Sequence, residues 1–562
     1  MSIVLFPAVR SSLNGLVLSL FLISSAFAQD PASQQLRDQQ SQFRQLEQQQ
    51  RLEQWQRRSQ SDAATAEEAP RPVDTQCWRV AGVSLTGHQR LTSKTLEASV
   101  QPLLRECMGP ADINALLKAI TERYVQAGYP TSRPYLARPP AAGKPLRILI
   151  VEGFVESIEL ADPDLPLSLH GAFPDLLGQP LHLPDLEQGL DQLNRLRAYD
   201  LGVDLLPGER LGGTRVLIQP QRIDSRWHLD SRYDNRGSES SGQHRFNLSL
   251  GLDSPLGLND YLHLSFNTSL AEPTGPRRGQ GHGLFYNIPY GPWTFSLSAS
   301  EQGYRFRLPP TRLISSGQST FHGLGIERLL WRNQRGMLSA SVRLDRKQLV
   351  NYIIGADIRV QSPTLTTVDT GLNLLWLDNG LWNAQIGASQ GLDWFGADRP
   401  AANPRIPRPQ FRKYRASLLR LRQGPVQQPW RWQSELNLQY SQSLLPAIEQ
   451  LALSDNAAVR GFRQYTVSGA SAAVWRNTFG YTLPASWPSS VQIHPSLGID
   501  LGWNRFTRDS PWQRLAGASV GVQLSLPHSQ LRFDYQRALH ASDRRRTALE
   551  PGFWVMEWTL NI

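Results

Sequence analysis

With 562 residues, two cysteines and a net charge of +10, the chain is long enough for several domains, or for small domains joined to a large barrel. A basic balance admits nucleic acid, anionic lipid or a cationic pore as partner, but no basic run interleaved with aromatics and no helix-turn-helix pattern occurs, which argues against nucleic acid. Neither G-x-S-x-G nor H-E-x-x-H is present, and Gly212-Gly213 sits between strand-like segments as a turn, so no enzyme, metal site or cofactor is expected.

Residues 1–28 read as a secretory signal. Arg10 supplies the positive start, residues 16–23 an apolar stretch too short to span a bilayer, and Ala26-Phe27-Ala28 a cleavage site. No later segment is long and apolar enough for a membrane helix, which leaves a soluble exported protein or an outer-membrane barrel. Residues 29–58 are rich in Gln and charge, with few apolar positions: Leu36, Phe43, Leu46, Leu52 and Trp55. Good helix formers after Pro31 predict a helix that is polar nearly all round, which needs water or the lumen of a pore around it. Residues 59–74, with Ala, Glu, Pro and Ser, read as a linker.

Residues 75–153 predict a small α+β domain of order β-α-α-β-β. Its strand starts at Trp78, Ser93 is the expected cap of a first helix running to about Cys107, and Asp112 opens a second. That second helix carries Ile113, Leu116, Leu117, Ile120 and Tyr124 on one face and stops before Gly128. Cys77 and Cys107 can pair in an oxidising compartment and staple this domain. Residues 154–223 repeat the order, with a poorer first helix at 165–177 and a clear second one at 184–196.

From residue 224 to 562 the period falls from helical to two. Trp293, Phe295, Leu297 and Ala299 alternate with Thr294, Ser296, Ser298 and Ser300, and similar runs recur to the end of the chain. A soluble sandwich also alternates. Segments of about ten residues, aromatics at segment ends and a count of about sixteen favour a transmembrane β-barrel with an aqueous lumen. His282 and His322 are isolated and read as lumen or loop residues. One loop, about residues 442–470, is long and carries Val459-Arg460-Gly461-Phe462. Alternation from Val491 to Asn504 puts Gly498, Asp500 and Gly502 on the lumen face, where a carboxylate flanked by glycines suits an arginine fork.

The whole mature chain resembles the TpsB-type outer-membrane transporters of two-partner secretion. Motifs carrying the resemblance are Cys107-Met108-Gly109-Pro110-Ala111-Asp112-Ile113-Asn114, Val151-Glu152-Gly153, Leu193-Asn194-Arg195-Leu196, Asp234-Asn235-Arg236-Gly237 and Tyr286-Asn287-Ile288-Pro289-Tyr290-Gly291-Pro292-Trp293. Val459-Arg460-Gly461-Phe462 resembles the tip of the family's inward loop, and Gly498-Ile499-Asp500-Leu501-Gly502 the strand that receives it. Ser454-Asp455 stands near the family's usual Gly-Gly pair, and Ile562 replaces its terminal aromatic. The resemblance implies a plug helix, two periplasmic POTRA domains and a sixteen-stranded barrel. It further implies a large secreted TpsA-type partner with a β-helical N-terminal domain, recognised unfolded, whose folding outside the cell supplies the energy for export. Outer-membrane lipid and the barrel-assembly machinery complete the expected partners. Substrate contact is expected along the first POTRA domain near Ile113, Leu117, Arg133 and Tyr135, where an extended peptide can add to a strand edge. An insertion factor of the same superfamily is the alternative, although such factors usually carry more POTRA modules.

Overall fold

The computed structural model describes residues 31–58, 77–237, 242–270, 278–308, 313–333, 335–403, 406–425, 428–454, 458–483 and 491–561. The expected signal (1–28) and linker (59–74) fall outside these residues, as do Asp455 and Ile562. In chain order come a long helix, Pro31–Arg58, two small α+β units and a closed barrel.

In the first unit, Leu146–Val151 lies between Val83–Thr86, which is parallel to it, and Arg133–Leu136, which is antiparallel. Leu146, Ile148 and Ile150 face the helices and pack on Leu96, Val100, Ile113, Leu116, Ile120 and Tyr124. The helix Pro110–Gln126 starts with Pro in its first turn, and Asp112 accepts the Gly109 N–H at 3.0 Å. Two expectations need correction. The first helix is capped by Thr92, not Ser93, and ends at Val100, because Pro102 tightens the chain into the short 3₁₀ turn Gln101–Leu103. Cys107 then lies in a two-residue strand opposite Arg79, bonded to Cys77 across a Cα–Cα distance of 5.4 Å. Glu152 ties the unit together by accepting from the Gln89 and Arg90 N–H groups at 2.8 and 2.7 Å and from the Tyr124 hydroxyl at 2.9 Å.

The second unit pairs Phe154–Leu160 in parallel and Tyr199–Pro207 antiparallel with Gly213–Ile223. Its first helix shrinks to one turn, Leu169–Ala172, since Pro166 and Pro174 bracket the segment. This unit is docked on the barrel rim. Arg332 reaches Glu187 at 2.8 Å and Asp191 at 2.5 Å, Arg195 donates to Asn287 at 2.9 Å, and Gly291 N–H donates to Gly171 C=O at 2.8 Å. Gly291 has φ +52 and lies so close to Pro174 that a side chain there would collide with the ring. The Asn287 to Pro292 stretch is therefore the rim's docking surface for the second unit.

Sixteen antiparallel strands close the barrel, from Trp227–Asp234 to Phe553–Asn561, with the two-residue Ala356–Asp357 added beside Gly336–Ile353. Burial decides between sandwich and membrane barrel. A sandwich buries its apolar face; here the apolar residues Leu324, Val342, Ile386 and Ile499 stand exposed while Ser319, Asp345, Thr367, Asn383 and Asp500 are buried. That inversion is the pattern of an outer face made for lipid and a polar lumen. His282 and His322 both lie on the exposed outer face, correcting the lumen-or-loop expectation, since each sits between inward-facing residues in strict alternation. Several strands also outrun the segment length expected: Trp293–Leu308 has 16 residues and Leu313–Arg332 has 20, because polar residues such as Glu301 and Gln302 continue the ladder past the apolar stretch.

The seam between last and first strands has five paired positions, Glu557↔Asp234 to Asn561↔Asp230. Beyond them the Asn235 side chain acts as an extra strand residue: its amide donates to Trp554 C=O at 3.0 Å and accepts the Met556 N–H at 2.9 Å.

Candidate functional site in the barrel lumen

Within Gln492–Arg505, Asp500 is 0% exposed while its neighbour Ile499 is 61% exposed on the outer face. Register places Gly498 between Thr478 and Ser519, and Asp500 between Arg476 and Gly517. The wall thus offers one carboxylate, two hydroxyls and a shallow floor of glycine.

The loop after Tyr440 enters the lumen. Leu451–Ala452 pairs with Ser468–Gly469, and Leu453, Val459, Phe462 and Val467 pack on Ala472, Val474, Leu515 and Ala538 of the wall. Apolar packing seats the tip, and charge fixes its register. Arg460 is 5% exposed, and its guanidinium grips Asp500 by two parallel bonds, Nε to Oδ2 at 2.6 Å and Nη2 to Oδ1 at 2.5 Å. Its backbone N–H also donates to Oδ2 at 3.0 Å. Further acceptors surround the guanidinium: Nη1 reaches Ser519 Oγ at 3.0 Å, and Nη2 reaches Asn477 C=O at 3.0 Å and Thr478 Oγ1 at 3.2 Å. A Cβ at Gly498 would lie 2.3 Å from the guanidinium, one at Gly502 would lie 2.7 Å from Val459, and one at Gly517 would lie 1.8 Å from Arg460 C=O. Gly461 has φ +93 and presses on the backbone of Arg537 and Ala538, so a side chain is excluded there on two counts. Gly517, Ser519, Thr478 and the Asn477 carbonyl lie outside the motifs that mark this site in the sequence. Alternation along Gln513–Ser525 was the available signal for the first two.

The helix Pro31–Arg58 lies in the same lumen. Ala32, Leu36 and Phe43 are buried, with Phe43 stacked on Phe285 and Phe321 at 6.1 and 6.4 Å between ring centroids. Its surroundings are therefore not wholly polar, since one apolar strip meets an apolar patch of wall. Polar contacts flank that strip: Asp38 with Arg245 at 3.2 Å, Glu47 with Arg343 at 2.8 Å, and Gln39 with Gln302. A cavity of about 550 Å³ remains beside the helix, lined among others by Asp191, Arg332, Arg343, Lys413 and Glu449.

The expected substrate residues do not form one surface. Ile113 is core, 3% exposed, and Leu117 packs against that core, because both lie on the face the helix turns to the sheet. Arg133 is tied to Pro130 C=O at 2.6 Å and Ser132 C=O at 3.0 Å, and Tyr135 is 51% exposed on the edge strand. Among the described residues, no three His, Cys, Asp or Glu side chains converge as a metal site would require.

Comparison with known proteins bears on this site. The family described as haemolysin secretion/activation protein ShlB/FhaC/HecB matches residues 212–524; a ShlB-type POTRA domain matches 78–153 and a further POTRA domain 154–207. The chain is 35% identical over 465 residues to the hemolysin transporter protein HpmB of Proteus mirabilis, covering 81% of each. It is 35% identical over 475 residues to the hemolysin transporter protein ShlB of Serratia marcescens, covering 83% of this chain and 82% of that one. The structure of CdiB from Escherichia coli superposes with a TM-score of 0.82 at 26% identity, over 95% of this chain and 99% of CdiB.

Proposed function

This chain belongs to the ShlB/FhaC/HecB haemolysin secretion/activation family, and from that premise we propose that it exports a TpsA-type partner protein, unfolded, through its own lumen. It resides in the outer membrane with its POTRA domains in the periplasm. The observation that carries the export reading is the lumen itself: among the described residues, the closed pore holds one helix and one loop, both kept there by side-chain contacts and not by strand pairing to the wall. Such contents can leave without breaking the barrel.

In this reading the partner first meets the first POTRA domain, where Arg133–Leu136 is an edge strand open to β-addition and Tyr135 offers an aromatic contact. The POTRA pair then delivers it to the cavity beside Asp191 and Arg332, under the helix. Pro31–Arg58 acts as the plug and must vacate the lumen, whereas Arg460 and Asp500 keep the loop on the wall and so define the bore. Hydrophobic burial of the partner as it folds outside supplies the driving force, without a nucleotide or an ion gradient. The test is co-expression with a candidate TpsA-type partner, a large secreted protein with a β-helical N-terminal domain. The partner should appear outside the cell only when the transporter is present, and equal export from cells without it would reject the reading.

A further inference from the structure

The inward loop has a second, buried attachment at its root, ahead of the tip that carries Arg460. Glu449, 3% exposed, ends the 3₁₀ turn Ala447–Glu449 and faces two lysines of the wall. Lys347 Nζ lies 2.6 Å from its Oε1 and Lys413 Nζ 2.7 Å from its Oε2, and Lys413 also donates to Glu449 C=O at 3.0 Å. Gln439 donates to that same carbonyl at 3.0 Å. The turn touches the helix as well. Arg37 Nη1 donates to Ala447 C=O at 2.6 Å, and Ile448 joins the apolar cluster that contains Leu36 and Phe43. One strand, Gly336–Ile353, serves both elements from a single inward row: Arg343 holds Glu47 of the helix, and Lys347 holds Glu449 of the loop.

We propose that Glu449 is the positioning residue that retains the helix in the lumen: it fixes the turn whose Ala447 carbonyl and Ile448 side chain form part of the helix's seat. Loop and helix are then coupled through the root of the loop and not through its Arg460 tip. Two buried ammonium groups without Glu449 would repel one another and leave the turn unanchored, so the seat loosens while apolar packing and the Arg460 contacts still hold the tip. The inference deepens the export reading, in which this helix is the plug.

The test follows helix exposure directly, in full-length protein in lipid. A cysteine replacing buried Gln40 reports the helix through its rate of labelling by a membrane-impermeant thiol reagent. Glu449→Gln should raise that rate roughly tenfold or more, the scale of losing a charge-assisted anchor. Glu449→Asp, which keeps the charge, should return most of the protection, and Arg460→Ala should leave labelling at the parental rate. An unchanged rate in Glu449→Gln overturns the proposal, and so does an equal rise in Arg460→Ala, which would mean general loosening of the loop. Heat-modifiable migration on gels identifies any variant whose barrel has not formed, in which case Lys347→Gln, which removes one partner of the carboxylate, replaces it and should also raise labelling. Pore conductance separates the two readings: a rise in labelling without a rise in conductance supports Glu449 as the retaining residue and rejects the helix as a plug.

Discussion

Replacing Asp500 by Ala removes both ends of the Arg460 fork and the acceptor of the Arg460 N–H, three bonds of 2.5–3.0 Å in a site closed to water. Ser519, Thr478 and the Asn477 carbonyl remain, but none carries charge, so the guanidinium stays buried without its counter-ion. Removing one member of a buried pair costs about 3–5 kcal/mol. That lowers the docked-to-free ratio of the loop by roughly two to three and a half powers of ten. Arg476, with its Nε 3.9 Å from Asp500, loses its partner in the same step and adds repulsion toward Arg460. Limited proteolysis from the outer side reads the loop directly, and export of the partner reads the consequence. Asp500→Ala should expose the loop and sharply reduce export while the barrel still folds. Combining it with Arg460→Ala should cost much less than the two changes summed, since each already removes the same contact. A loop as protease-resistant as the parent's in Asp500→Ala, or additive single effects, would refute the pairing as the element that holds the loop.

Deleting residues 31–58 should raise ion conductance in planar bilayers, because Phe43 and its flanking ion pairs leave the lumen with it; an unchanged conductance counts against a plug. Gly517→Val should displace the loop as effectively as loss of charge, since even a Cβ would lie 1.8 Å from Arg460 C=O, and proteolysis of the loop checks this. Asn235→Ala should weaken the five-pair seam by about 1–3 kcal/mol through two lost backbone partners, seen as faster hydrogen exchange at Met556. In the first POTRA domain, burial and then the bond to Glu152 push the Tyr124 hydroxyl above its ordinary range. Glu152→Ala should free that hydroxyl and two N–H groups, speeding exchange at Gln89 and Arg90 with the barrel unaffected.

What the sequence displays and what it hides follow from how far each signal reaches along the chain. Barrel strands are legible because outer-face residues such as Leu497, Ile499 and Leu501 repeat at every second position, and the same period assigns Asp500 to the lumen. Helices of the POTRA units are legible where an apolar face is continuous, as at Ile113, Leu116, Ile120 and Tyr124, and fail where prolines confine the segment around Leu169–Ala172. Strand ends are hidden in the sequence because Glu301 and Gln302 continue hydrogen-bonded pairing without apolar marking. Ser519 and Thr478 flank Gly498 only through the registers of three strands, which no single-strand pattern contains. Glu449 meets Lys347 across 102 residues and Lys413 across 36, and nothing local announces either contact. The helix read as polar all round because Leu36 and Phe43 are seven residues apart, too sparse for an amphipathic face yet sufficient for one strip against Phe285 and Phe321.

The path of the partner is tested most directly by a photo-crosslinking residue at Asn373, on the cavity-lining wall. A partner protein arrested in export by a tightly folded C-terminal fusion should crosslink to that position, and the same partner with its N-terminal recognition domain removed should not. Export that proceeds to the cell surface while Asn373 never touches the arrested chain would contradict passage through this barrel.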